Sequence, residues 1–375
     1  MDAAVDWNIK ARGFIAAGNL APAATRRALA VLQTSVYGAI NAITARYPAG
    51  GMEPGTARGG SIEAAVASAN RVALLALLPA GKSAIEAAYQ AGIAKVAAGT
   101  ARESGIAVGQ KSAAAILAIR AGDLLAAADG IPAPPRTPWL LADAAALRPA
   151  PPPAFSTPAW VRDFNEVRNF GGRTSTRRTA EQAELALFWA DETPAALYDV
   201  VHSVTADSDR EVTRNARLLM AVAQAADDAT IATLDAKHAY MFWRPVEAIR
   251  NADKDGNEYT TAEAAWAPLH DDSTLPEFPC GRCVEAAAIA GVLKADIGNG
   301  PMPTLHAGSR TAPQLARSWN NVEDMLREVA DARVHAGADF RNSTVVGMQM
   351  GARIAALAAT QLLVTPPVKE SPPPY

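Results

Sequence analysis

Lys237-His238-Ala239-Tyr240-Met241-Phe242-Trp243-Arg244-Pro245 sets two long cations seven residues apart, with an aromatic pair in front of the second. Seven residues are close to two helical turns, so Lys237 and Arg244 share one side of a helix or straddle its end and the loop beyond. Phe242 and Trp243 can hold the guanidinium rigid and partly desolvated, which sharpens recognition of an anion. Taken alone, the stretch reads as a solvated charged helix face beside core aromatics. Its surroundings change that reading.

Downstream, Pro276-Glu277-Phe278-Pro279 leads into Cys280-Gly281-Arg282-Cys283, and Ala332-Arg333-Val334-His335-Ala336-Gly337-Ala338-Asp339 follows. A lysine, six residues and Arg-Pro resembles the first signature of the vanadium haloperoxidase and type-2 phosphatidic acid phosphatase superfamily. The other two stretches resemble its second signature, Ser-Gly-His, and its third, Ser-Arg, three residues, Gly, one residue, His. The likeness runs in order over most of the chain: Gly105-Ile106 with Gly109, Ile119-Arg120-Ala121, Glu166-Val167-Arg168, Gly171, Ser175, Arg178-Thr179, Glu181-Gln182, Phe188-Trp189-Ala190-Asp191, Ala248-Ile249-Arg250, Asp255-Gly256-Asn257 and Trp266 are similar to the bacterial haloperoxidase-related branch. The resemblance implies an all-α fold of two packed helical bundles, with an anion-type pocket mainly in the second. Relatives of this kind are often dimers, so it also implies a homodimer.

The retained positions imply an anion cradle made of Lys237, Arg244, Arg333 and the Gly281 backbone at a helix start. Both family histidines are replaced. The acid-base histidine corresponds to Arg282, which cannot exchange a proton near neutral pH. The histidine that bonds vanadium or attacks phosphorus corresponds to Asp339. Opposite charges in a half-buried pocket attract by several kcal/mol at an effective dielectric of ~20. Asp339 should therefore neutralise part of the cation cluster and repel an incoming oxyanion. Vanadate binding is expected to be weak or absent, and no other cofactor or metal is expected. His335, one turn upstream, is expected to pack rather than to substitute as a ligand.

Cys280 and Cys283 frame a helix start beside Arg282, a setting that favours a thiolate. They read either as a nucleophile or reversible redox pair, or as two small space-filling residues. Asp339, Cys280, Arg282 and His335 are thus the candidate catalytic positions. One reading is a repurposed enzyme whose cationic pocket stabilises an oxyanion of a small organic substrate, with Asp339 as base and Cys280 as acid or nucleophile. A second is a non-catalytic binding or scaffold protein whose anion site has collapsed into ion pairs. A third keeps phosphoryl transfer through Asp339 or Cys280, and a fourth is residual vanadium-dependent halide oxidation through His335.

The bulk of the sequence agrees with a helical protein. Of its 375 residues half are hydrophobic and only 6% aromatic, and alanine, the strongest helix former, dominates. Helices are expected over 21–46, 61–79, 83–98, 106–122, 159–170, 179–189, 194–205, 209–226, 229–240, 283–293, 318–340 and 342–362, and no strand pattern of useful length stands out. In the first of these, Leu29, Leu32, Val36, Ile40 and Ile43 recur at steps of three and four. Nine of the 26 prolines fall in 131–158, which divides the chain into a bundle over 1–130, a connector, a second bundle over 159–364 and a Pro-rich tail over 365–375. Net charge is −3 with no basic-aromatic run, which argues against nucleic acid as a partner. No apolar run reaches the ~20 residues of a membrane span. A soluble chain is expected, cytoplasmic as written, or periplasmic or secreted if a signal peptide has been removed.

Overall fold

The structure, a computed structural model, describes residues 1–48, 57–123, 136–270 and 273–364. Part of the 131–158 connector and the whole 365–375 tail lie outside the described residues. In chain order the helices are α1 (Ala3–Ala17), α2 (Pro22–Thr44), α3 (Ile62–Leu77), α4 (Lys82–Ile93), α5 (Thr100–Ile119), α6 (Pro158–Phe170), α7 (Ala180–Phe188), α8 (Ala195–Thr205), α9 (Val212–Tyr240), α10 (Pro245–Arg250) and α11 (Gly281–Ile297). A short antiparallel hairpin follows, β1 (Leu305–Gly308) with β2 (Ala316–Trp319), and then α12 (Val322–Ala336) and α13 (Arg341–Ala358). The fold is all-α, two helical bundles packed together.

Local chemistry starts these helices where the sequence suggests. The Ser61 hydroxyl accepts from Ala64 N at 3.2 Å and caps α3. Thr179 and Gln182 form a capping box at α7. Helix packing then depends on bare backbone at two seams. A Cβ on Gly109 would lie 2.3 Å from Ala65 O, so α5 can meet α3 closely only with glycine there. Gly351 plays the same part between α13 and α11, its Cβ position 2.3 Å from Val284 O. The α2 face carrying Leu29, Leu32, Val36 and Ile40 is buried; α2 meets α9 through Arg27 and Thr34, and α9 packs on α11. One continuous apolar core runs from Ala4 to Ala358 across both bundles.

Four expectations need correction. Helix α1 was not anticipated; its Asp2 cap accepts from Val5 N, and it buries Val5, Trp7, Ala11 and Ile15. Short α10, capped by the Glu247 carboxylate on Arg244 N, was missed too. The segments 209–226 and 229–240 are one 29-residue helix, α9. Asp227 and Asp228, between the two expected segments, are fully buried inside it. Asp227 pairs with Arg27 at 3.1 Å, while Asp228 accepts from Trp139 N, Leu140 N and Leu141 N, tying the connector to the bundle. Lastly, β2 of the hairpin takes 318–319 from the expected 318–340 helix. Four-residue strands are too short for alternation to show, but Leu305 and Trp319 pair in register and both face the core.

Candidate functional site

Thr230, Thr233, Leu234 and Lys237 fall at steps of three and four on α9 and present one face of its last turns to a cavity of about 340 Å³. Gly281, Arg282 and Glu285 from the first turns of α11 form another wall. Arg333 enters from the end of α12, and Pro22, Ala23 and Arg26 from the start of α2. The cavity is therefore shared between the bundles, not confined to the second. Among the described lining residues five cations (Arg26, Lys237, Arg244, Arg282, Arg333) face three carboxylates (Glu192, Glu285, Asp339).

The turn after α12 brings the decisive pair together. Gly337 caps that helix at φ +79°, a left-handed conformation that a side chain disfavours, and Gly171 O would sit 2.6 Å from a Cβ there. The chain doubles back, and Ala338 N and Asp339 N both donate to Arg333 O. The Asp339 carboxylate then accepts from Arg333 Nε at 2.6 Å, with both side chains buried. Arg333 also donates to Glu192 Oε1 at 2.7 Å.

A second ion-pair group closes the other side. Arg26 grips Glu285 with two parallel bonds of 2.7 Å and donates to Glu192 O at 2.9 Å. Arg282 shares Glu285 at 3.2 Å and donates to the carbonyls of Asp191 and Thr193. Arg244 donates to Leu275 O at 3.0 Å and Ala338 O at 2.8 Å. Lys237 donates to Pro276 O at 2.5 Å and Glu277 O at 2.6 Å.

Burial and these charges move several acidities. Burial lowers the Lys237 ammonium to about 8, with the Asp339 charge opposing the fall. Burial, reinforced by Asp339, pushes the Glu277 carboxyl up to about 8, while its Oε1 accepts from Phe340 N at 2.8 Å. Desolvation would raise the Glu192 carboxyl, but Arg333, Arg282 and Arg26 outweigh it and hold it at about 2. Burial acts likewise on Glu285, and Arg26 and Arg282 again bring the carboxyl below its usual range.

Lys237, Arg244, Gly281, Arg282, Arg333 and Asp339 thus meet in one cavity. Cys280 and His335 do not line it. The Cys280 sulfur is bonded to that of Cys283, and both residues are fully buried. So held, Cys280 has no thiol with which to attack or to give a proton. The bonded pair is the closed form of the redox-pair reading. His335 packs against Phe170, ring centroids 6.0 Å apart, and burial lowers its pKa. Arg26, Glu192, Thr233 and Glu285 were not foreseen. Arg26 and Glu285 left one faint signal, charges embedded in otherwise apolar helical stretches.

The architecture is that of the vanadium haloperoxidases. Residues 217–364 match the family model described as the VCPO second helical-bundle domain. A bacterial vanadium-dependent iodoperoxidase superposes at a TM-score of 0.78, with 20% identity over 96% of each chain. Bacterial vanadium-dependent chloroperoxidase superposes in its holo form at 0.68, with 14% identity over 92% of this chain and 93% of the other, and in its apo form at 0.65, with 15% identity over 92% and 94%. No curated protein sequence matches the chain. The chain carries the vanadium haloperoxidase fold, and its residues 217–364 match that family's second helical-bundle domain.

Vanadate does not suit the residues present. The Asp339 carboxylate is already on Arg333, and the cations lining the cavity donate to protein carbonyls and carboxylates. An oxyanion entering here would meet three carboxylates at close range. Among the described residues, no group of three or more His, Cys, Asp or Glu has the arrangement to hold a metal ion, and no helix is long and apolar enough to cross a membrane.

Proposed function

We propose that this chain is an enzyme on the vanadium haloperoxidase fold that acts on a small organic substrate rather than oxidising halide with vanadate. The carrying observation is that the cavity stays open, at about 340 Å³, although Arg333 is paired with both Asp339 and Glu192. A site that had only collapsed would have closed over its ion pairs. Instead, apolar Pro22, Ala23, Leu234 and Leu275 and the hydroxyl residues Thr230, Thr233, Ser273 and Thr274 line space beside a cation-rich wall. Cationic donors held in a water-poor cavity stabilise negative charge that develops on a substrate oxygen, as in an enolate. Asp339 is the base in this reading, held in place by Arg333.

The test is exchange of the protons next to the carbonyl in a panel of small ketones, aldehydes and keto acids, followed in D2O by proton NMR. Exchange above the buffer rate in the wild type, lost in Asp339→Asn, is the expected result. Parallel assays with vanadate, peroxide and bromide, and with a generic phosphate monoester, should show no turnover. The Arg333–Asp339 pair at 2.6 Å favours a second reading, a non-catalytic binding protein. Ligand binding without exchange across the panel would select it.

A further inference from the structure

Once the ion pairs are assigned, the cavity retains polar groups that no carboxylate engages. Thr233 lines it, is 5% exposed, and its hydroxyl has no hydrogen-bond partner. Its neighbour Thr230 shows the ordinary arrangement for a helical threonine, donating back to Ala226 O at 3.1 Å. Lys237 stands one turn beyond Thr233 on the same face of α9. A neutral amine carries two N–H bonds and one lone pair. Pro276 O at 2.5 Å and Glu277 O at 2.6 Å account for two N–H bonds, which leaves one valence of Nζ to spare on a residue that lines the cavity.

Gly281 keeps this corner accessible. A Cβ there would lie 3.1 Å from Thr233 Cγ2 and 4.0 Å from Lys237 Cε. Nearby, Arg26 and Arg282 are engaged by Glu285, and Arg333 by Asp339 and Glu192. An added anion is therefore poorly matched to what remains. A hydroxyl and an amine one turn apart suit a neutral oxygen on carbon.

We propose that Lys237 is a carbonyl-reactive amine, and that the substrate class is a small aldehyde or ketone that condenses with Nζ while the Thr233 hydroxyl holds the carbonyl oxygen. The Nζ lone pair forms the C–N bond as the C=O π pair moves onto oxygen. That oxygen takes up a proton as nitrogen gives one up, yielding a carbinolamine. A second proton reaches the oxygen, the nitrogen lone pair forms the C=N bond as the C–O bond breaks, water leaves, and the remaining N–H proton is released in place of the one taken up. Carbonyl compound plus amine thus becomes imine plus water, with no change of oxidation state. Burial brings the lysine near neutrality, so free amine is present at pH 8. The imine, once protonated, acidifies the neighbouring C–H bond and so deepens the exchange chemistry proposed above; the inference rests on that reading of the cavity as the substrate site.

The test uses the full chain, propanal and acetone as probes, and sodium cyanoborohydride at pH 8, followed by intact mass and peptide mapping. A single propyl or isopropyl adduct on Lys237 is expected, forming about tenfold faster than on the other lysines because its amine is less protonated. The seven other lysines serve as internal controls. Thr233→Val should slow labelling at Lys237 alone, and Thr233→Ser should restore it. Adducts on the other lysines with Lys237 unmodified would overturn the proposal, as would equal labelling in Thr233→Val. Thermal shifts with cyclohexanone, without reductant, separate the two levels of inference. A raised midpoint without trapping at Lys237 refutes the imine and leaves the substrate site standing. Neither shift nor trapping refutes both.

Discussion

Replacing Asp339 by asparagine tests the central charge swap directly. In the wild type its carboxylate accepts from Arg333 Nε at 2.6 Å, with the two side chains 3% and 9% exposed. Asparagine keeps an oxygen for that N–H, so the loss is the difference between a charged and a neutral acceptor, about 1–2 kcal/mol. Arg333 retains Glu192 at 2.7 Å, which keeps the cost below the roughly 3–5 kcal/mol of stripping a buried charge of its partner. The same change removes one negative charge from the cavity. At an effective dielectric of about 20 and a separation of about 4 Å, that is worth at most about 4 kcal/mol to an incoming anion. With Glu192 still in place, a gain of about tenfold to a hundredfold in affinity for inorganic phosphate is expected. Urea denaturation reads the first effect and calorimetric titration with phosphate the second. Unchanged stability together with unchanged phosphate affinity would show that Asp339 does not neutralise the cradle, and the reasoning would fail.

Glu285→Ala should destabilise the protein by about 3–5 kcal/mol in denaturation, since it strips buried Arg26 and Arg282 of their shared carboxylate. The Glu192 carboxyl titrates at about 2 in the folded chain, below its ordinary 4.5. The unfolded chain thus binds more protons between those values, and this contribution to stability, complete above about pH 4.5, is lost as pH falls towards 2. Denaturation at pH 5 and pH 3 should therefore separate wild type from Glu192→Gln more widely at pH 5. Reduced native protein should not react with a thiol reagent, since Cys280 and Cys283 are both fully buried, and should react at two thiols once unfolded. His335→Ala should leave ligand affinity of the cavity unchanged within about twofold, because His335 is not among its lining residues.

Much of the fold could be read before any coordinates. Leu29, Leu32, Val36 and Ile40 recur at helical spacing, and all four are buried in the core. Lys237, Arg244, Arg333 and Asp339 were legible as one group because the spacing within each motif survives even where the chemistry has changed. Other features had no local signal. That α9 continues through Asp227 and Asp228 is one of them: Arg27 and the backbone of 139–141, which satisfy these buried acids, come from distant parts of the chain.

The sequence by itself determined the helical architecture and the positions of the cations, because these depend on residue identity and short-range periodicity. Only the tertiary structure decided how the charges are shared. Glu192, Glu285 and Arg26 reach the cavity from separate elements, and the partner of a buried arginine is set by which carboxylate folding brings within hydrogen-bond range. The same holds for Thr233. Its hydroxyl is distinguished from that of Thr230 by an unmade bond, and a missing bond is visible only when every neighbour is in place.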